Sequence, residues 1–217
     1  MGIKEQDKRR KRAIRQTNPI WLIVCEGRNK TEINYLSHFN KREGKVRLIV
    51  KPSEDTDPRR MVERAKNIAK AQSIGQNLND RIICLIDLDI DDNRAKLIQL
   101  LKIKYSKINI FVSNPCFEIW FLLHFTRHPN RENKSRNVKK QLEGYVPNYT
   151  ESMDILQKCT QIQTNYSIAI KNAQDLRKEY SHKEITLHTK YANPYTDIDL
   201  LISALIEKNG PPQINCD

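Results

Sequence analysis

Two short apolar runs each end in acid, and they limit what this chain can fold into. One is Ile20-Trp21-Leu22-Ile23-Val24-Cys25, which runs into Glu26-Gly27. The other is Ile82-Ile83-Cys84-Leu85-Ile86, which runs into Asp87-Leu88-Asp89. Unbroken apolar runs of this length suit strands covered on both faces, the situation in a parallel sheet between helices. In open α/β sheets the ligand site lies beyond the carboxyl ends of the strands. Glu26, Asp87 and Asp89 are therefore expected to converge there. Like charges held together repel, and a hard divalent cation such as Mg2+ relieves that repulsion.

Patterns alternate from Pro19 onward. Strands are expected at 20–25, 46–50, 82–86 and 108–112, with helices opening at Thr31-Glu32, at Asp57-Pro58 (to about Gly75) and near 93–104. Asp57-Pro58 joins an N-cap residue to a proline at the first helical position. Asn114-Pro115 is expected to cap a helix through about His124. This series predicts a four-stranded, mostly parallel α/β sheet flanked by helices. Beyond about residue 128 the strand signals fade. Helices are expected over 134–143, 151–159 and 165–180, with a last one from near Thr196 in which Asp199 completes a capping-box variant. The expected organisation is a basic arm (1–17), an α/β core (18–128) and a helical C-terminal extension packed on that core (129–217).

The 217 residues include 38 Lys+Arg against 26 Asp+Glu, a formal net charge of +12. Such an excess suits a polyanionic partner such as RNA or DNA, or simply a solvated basic surface. Arg9, Arg10, Lys11 and Arg12 in the arm are candidate nucleic-acid contacts. No apolar stretch approaches the roughly 18 residues that span a bilayer, and no secretory h-region follows the charged start. Five cysteines without a Cys-x-x-Cys pair fit reduced thiols in a cytoplasmic protein better than zinc ligands. No Gly-x-x-x-x-Gly-Lys-Ser/Thr occurs, so ATP hydrolysis would have to come from a partner.

Glu26 is read as a metal ligand or a general acid/base. Asp87 and Asp89, two apart, project to one side if the backbone stays extended. Arg28 and Lys30 stand ahead of a helix N-terminus where a phosphate could rest, or belong to a solvated loop. Glu32 is read first as dipole compensation in its helix. Glu118 has the same two possibilities, helix compensation or a catalytic or metal-binding role. His124 is either a satisfied core histidine or an acid/base. Tyr191, Asn193 and Tyr195 shape a turn or, with Lys183 and Lys190, line a substrate groove.

Glu26-Gly27 with Thr31-Glu32 resembles the first motif of Toprim-like proteins, and Asp87-Leu88-Asp89 resembles their second. The block Ser113-Asn114-Pro115-Cys116-Phe117-Glu118-Ile119-Trp120, with His124-Phe125 and Asn193-Pro194-Tyr195-Thr196, is similar to the RloB-like family, whose antiphage members include AbiLii of abortive-infection systems. The resemblance implies a Toprim-like sheet and Mg2+- (or Mn2+-) dependent phosphodiester chemistry. It also implies a role in antiphage defence beside an ATPase of the ABC/AAA type. Relatives of that design are nucleases, in some cases on tRNA. The expected function is a metal-dependent nuclease acting on RNA or DNA. Two alternatives are a non-catalytic nucleic-acid-binding or sensor subunit of an ATPase complex and a primase-like nucleotidyl transferase.

Overall fold

The computed structural model describes residues 18–26, 30–131, 134–212 and 214. The expected contacts of Arg9, Arg10, Lys11, Arg12 and Arg28 lie outside the described residues. The sequence alternation becomes β1 (Ile20–Cys25), α1 (Thr31–Ser37), β2 (Arg47–Pro52), α2 (Pro58–Ala71), β3 (Arg81–Asp87), α3 (Asp92–Lys104) and β4 (Ile108–Asn114). These strands lie side by side in the order β2-β1-β3-β4, all parallel.

The apolar runs behave as their composition demands. Along β1, Trp21, Ile23 and Cys25 enter one core layer, while Leu22 and Val24 enter the other. The second layer is closed by Met61, Val62 and Ala65 of α2 and by Ala95 and Ile98 of α3. Alternate side chains of a strand point to opposite faces, so a run apolar at every position buries both. Asp57 caps α2 as expected, accepting the N–H groups of Arg59 and Arg60 at 2.9 and 3.1 Å.

The second half supplies α4 (Glu118–Leu122), α5 (Ser135–Glu143), α6 (Ile155–Lys158), α7 (Thr160–Thr164), α8 (Tyr166–His182), β5 (Tyr195–Thr196) and α9 (Ile198–Asn209). Leu142, Ala169, Leu176, Leu201 and Leu205 join the same core layer as Trp21 and Leu36. The extension thus covers the face of the sheet that α2 and α3 leave open.

Four local expectations change, the first being the helix expected over 151–159, which is a turn followed by the short α6 and α7. The extension also adds a strand: β5 pairs antiparallel with the end of β4, giving a fifth position in the sheet. Two residues carry too little pattern to read as a strand. Asn114 does not cap a helix. It closes β4, precedes a cis bond to Pro115, and its side-chain amide donates to the carbonyls of Thr189 and Ala192 at 3.2 and 2.7 Å. The helix starts only at Glu118. Asp199 does not act as a capping box. It is buried against Arg177, while Thr196 Oγ1 accepts the N–H of Ile198 at 3.1 Å.

Candidate acid cluster at the carboxyl ends of the strands

Glu26 follows β1, Asp87 ends β3, and Glu118 opens α4 just beyond β4. Parallel pairing in register brings these ends together, since Cys25 stands opposite Leu85 and Asp87 opposite Ser113. The N–H of Asp87 donates to Glu26 Oε2 at 2.9 Å. Glu32, from the first turn of α1, is buried nearby, and its Oε2 has no hydrogen-bond partner.

The carboxyl groups strain one another's ionisation. Burial pushes Glu32 up to about 8, and the charges of Glu118 and Glu26 add to the rise. Burial raises Glu26 to about 7 against the opposing pull of Arg94, with Asp89 raising it further. Asp87 is raised well above the usual carboxylate range by burial first, then by Glu26, Glu32 and Glu118. Glu118 is buried, accepts from Tyr149 Oη at 3.1 Å and has Lys139 Nζ at 3.7 Å. Lys139 also pairs with Glu151.

Asp89 departs from the expected geometry. The chain leaves the extended conformation after Asp87, and Asp89 takes a left-handed φ of 51°. Its side chain is exposed and accepts from Ser135 Oγ at 3.1 Å. The two-residue spacing therefore does not set the Asp87 and Asp89 carboxylates side by side, although Asp89 still acts on Glu26 through its charge.

Arg94 is the residue the sequence reading passed over. From the first turn of α3 its Nη2 pairs with Glu26, and its Nε donates to the carbonyl of Asp87. A cation in the first turn of a helix opposes the helix dipole. An arginine there, just past the Asp91 cap, is the signal of a specific acidic partner. Glu32 was visible but read as helix compensation; only its burial shows it as a member of the cluster.

The other candidates lie around or away from this point. Lys30 is exposed at the start of α1. Lys190 pairs with Asp92 at the start of α3, so it borders the strand ends. His124 sits in the apolar core. Its Nδ1 lies 3.0 Å from the Trp120 carbonyl, and its ring meets Trp120 and Tyr166 edge-on. Burial lowers it to about 4, so it is neutral near pH 7.

Among the described residues, no three Asp, Glu, His or Cys side chains stand as a preformed metal-ligand set. The donor chemistry nonetheless fits a hard divalent ion. The oxygens are carboxylates, they repel one another, and a buried Glu32 oxygen lacks any partner. Arg94 supplies part of the positive charge such a cluster needs.

The family model described as RloB-like protein matches residues 21–205. The chain belongs to the RloB-like family. No curated protein and no solved structure matches it. The RloB-like match runs from β1 into α9, so one family unit includes the sheet, the acid cluster and the C-terminal helices that bury the sheet's second face. Family and fold are consistent with a nuclease-type enzyme.

Proposed function

We propose that this RloB-like protein is a divalent-metal-dependent nuclease that hydrolyses phosphodiester bonds of RNA, tRNA included, or of DNA. The observation that carries the reading is that Glu26 and Asp87 meet at adjoining strand ends, with Glu32 of α1 and Glu118 of α4 near enough to act on Asp87 by charge and a buried, unpartnered Glu32 oxygen beside them. Glu26 and Asp87 would hold Mg2+ or Mn2+, with Glu32 and Glu118 completing the negative charge and Asp89, exposed and turned toward Ser135, acting only through its charge. The ion would supply positive charge at the phosphate and a more acidic bound water. Lys190 and Lys30, at the rim, would meet the phosphate backbone.

In this reading the protein is the effector of an antiphage system and works with an ABC/AAA-type ATPase. A cytoplasmic setting is supported by four buried free thiols, Cys25, Cys84, Cys116 and Cys159. Among the described residues, no helix is long and apolar enough to cross a membrane.

One observation favours the second reading, a non-catalytic nucleic-acid-binding or sensor subunit: Arg94 already neutralises Glu26. Asp87→Asn separates the two. With the ATPase partner present, labelled RNA and DNA should be cut by the wild type in Mg2+ and not by the variant, whose melting temperature should be no lower. Defence in cells that survives Asp87→Asn would overturn the nuclease reading in favour of the second.

A further inference from the structure

At the opposite end of the sheet lies a cleft of about 700 Å³ between the last turns of α2 and α3. Its position is set by Ile82 and Ile108, paired residues at the amino ends of β3 and β4. Asp87 lies five residue steps along the strand from Ile82, roughly 17 Å at the usual rise. The cleft is therefore independent of the acid cluster, and nothing in the proposed nuclease chemistry uses it.

Its lining divides by chemistry. Ile74, Ile82 and Ile108 form an aliphatic floor, with Asn67 and Ser106 as neutral hydrogen-bonding groups beside it. Lys66, Lys70, Lys104 and Lys107 line the rest, together with Tyr105. Lys66 is committed to Glu63 at 3.0 Å and lies over the Tyr105 ring at 4.9 Å. Lys104 lies over the same ring at 5.3 Å. Among the described residues, Lys70, Lys104 and Lys107 form no ion pair with a carboxylate. Lys70 and Lys104 stand in final helical turns, where they also offset the helix dipoles. Lys107 follows α3 and has no such role.

Three ammonium groups in no close ion pair, of which Lys104 acts on Glu63 only through its charge, suit several negative charges close together. A single carboxylate would leave most of that charge unmet. The volume falls in the range of small-molecule sites, which combine an apolar lining with a few placed polar groups. A flat heterocycle fits the aliphatic floor, and an amide and a hydroxyl beside it can bond the edge of a base. Lysine serves as a point-charge phosphate ligand.

We propose that this cleft binds a nucleoside phosphate, with the base on the isoleucine floor and the phosphates on Lys70, Lys104 and Lys107. The nucleotide is either free or one unit of a strand, and the two sources share this chemistry.

The test is calorimetry on the full chain in EDTA, so that metal at the acid cluster plays no part. The probes are ATP, tripolyphosphate, adenosine and an eight-nucleotide oligothymidylate. ATP or the oligonucleotide should bind at least about tenfold more tightly than tripolyphosphate or adenosine. Replacing Lys70, Lys104 and Lys107 by Ala should weaken that binding by about a hundredfold or more, from roughly tenfold per charged hydrogen bond. Ser106→Trp, which fills the cleft without changing charge, should weaken it comparably while the melting temperature holds. Binding of ATP identifies a free nucleotide, and binding of the oligonucleotide alone identifies a strand. Asp87→Asn should bind as the wild type does, so failure of the nuclease reading leaves this site standing. Equal binding of tripolyphosphate and ATP would overturn the proposal, as would no saturable binding by ATP or oligonucleotide, or binding indifferent to both variants.

Discussion

Glu32→Gln tests whether the cluster's carboxyl groups are as confined as their surroundings imply. Glu32 is 5% exposed, and its pKa rises from 4.5 to about 8. A raised carboxyl pKa means that the folded state resists ionisation. Below about pH 4.5 the group is neutral in folded and unfolded chains and brings no penalty. As pH rises, the unfolded chain ionises first, and stability falls by about 1.4 kcal/mol per pH unit until the folded group ionises near 8. The accumulated loss is about 3 kcal/mol at pH 7 and about 5 kcal/mol above pH 8. Gln cannot ionise, so its constant packing cost cancels when the two profiles are subtracted. Urea unfolding of both chains in EDTA at pH 5, 6, 7 and 8 reads the difference directly. The variant should gain on the wild type by about 2–3 kcal/mol between pH 5 and 7. Parallel profiles would refute the confinement of Glu32 and the repulsion argued from it.

His124→Phe should flatten the acid limb of stability. The histidine is buried neutral, so its stabilisation is present above about 6.5 and is lost as pH falls through about 4; the wild type should lose about 3 kcal/mol there that the variant keeps. An unchanged acid limb would contradict the core placement. Arg177→Met strands buried Asp199, at about 3–5 kcal/mol, and should lower the melting temperature by about 6–20 °C; a shift under about 2 °C would show the pair to be dispensable. Arg94→Gln removes the cation already facing Glu26 and should tighten Mn2+ binding by roughly tenfold in calorimetry, since a unit charge a few ångströms away outweighs that even at high effective dielectric. Unchanged affinity would place the ion elsewhere.

The sheet was readable because the runs at Ile20–Cys25 and Ile82–Ile86 are apolar at every position, a pattern that suits strands buried on both sides. Asp57-Pro58 was readable for a similar reason, since capping is local chemistry. The end of β4 was not. Asn114-Pro115 has the composition of a helix start, but Asn114 serves carbonyls of a loop 75 and 78 residues away. Strand β5 is held by that same distant partner and has no periodicity of its own. In the site, Glu26 and Asp87 follow from where strands end. Asp89 does not, because its left-handed backbone breaks the extended geometry on which the spacing argument rested. Arg94 and buried Glu32 enter from helices whose placement only the packed fold supplies.

Mn2+ soaked into crystals of the full chain, with its anomalous signal mapped, tests the metal proposal most directly. The account predicts a peak bound by Asp87 and its neighbouring carboxylates at the ends of β1 and β3, with Arg94 drawn away from Glu26. A saturating soak that leaves the Arg94–Glu26 pair intact and no manganese beside Asp87 would contradict it.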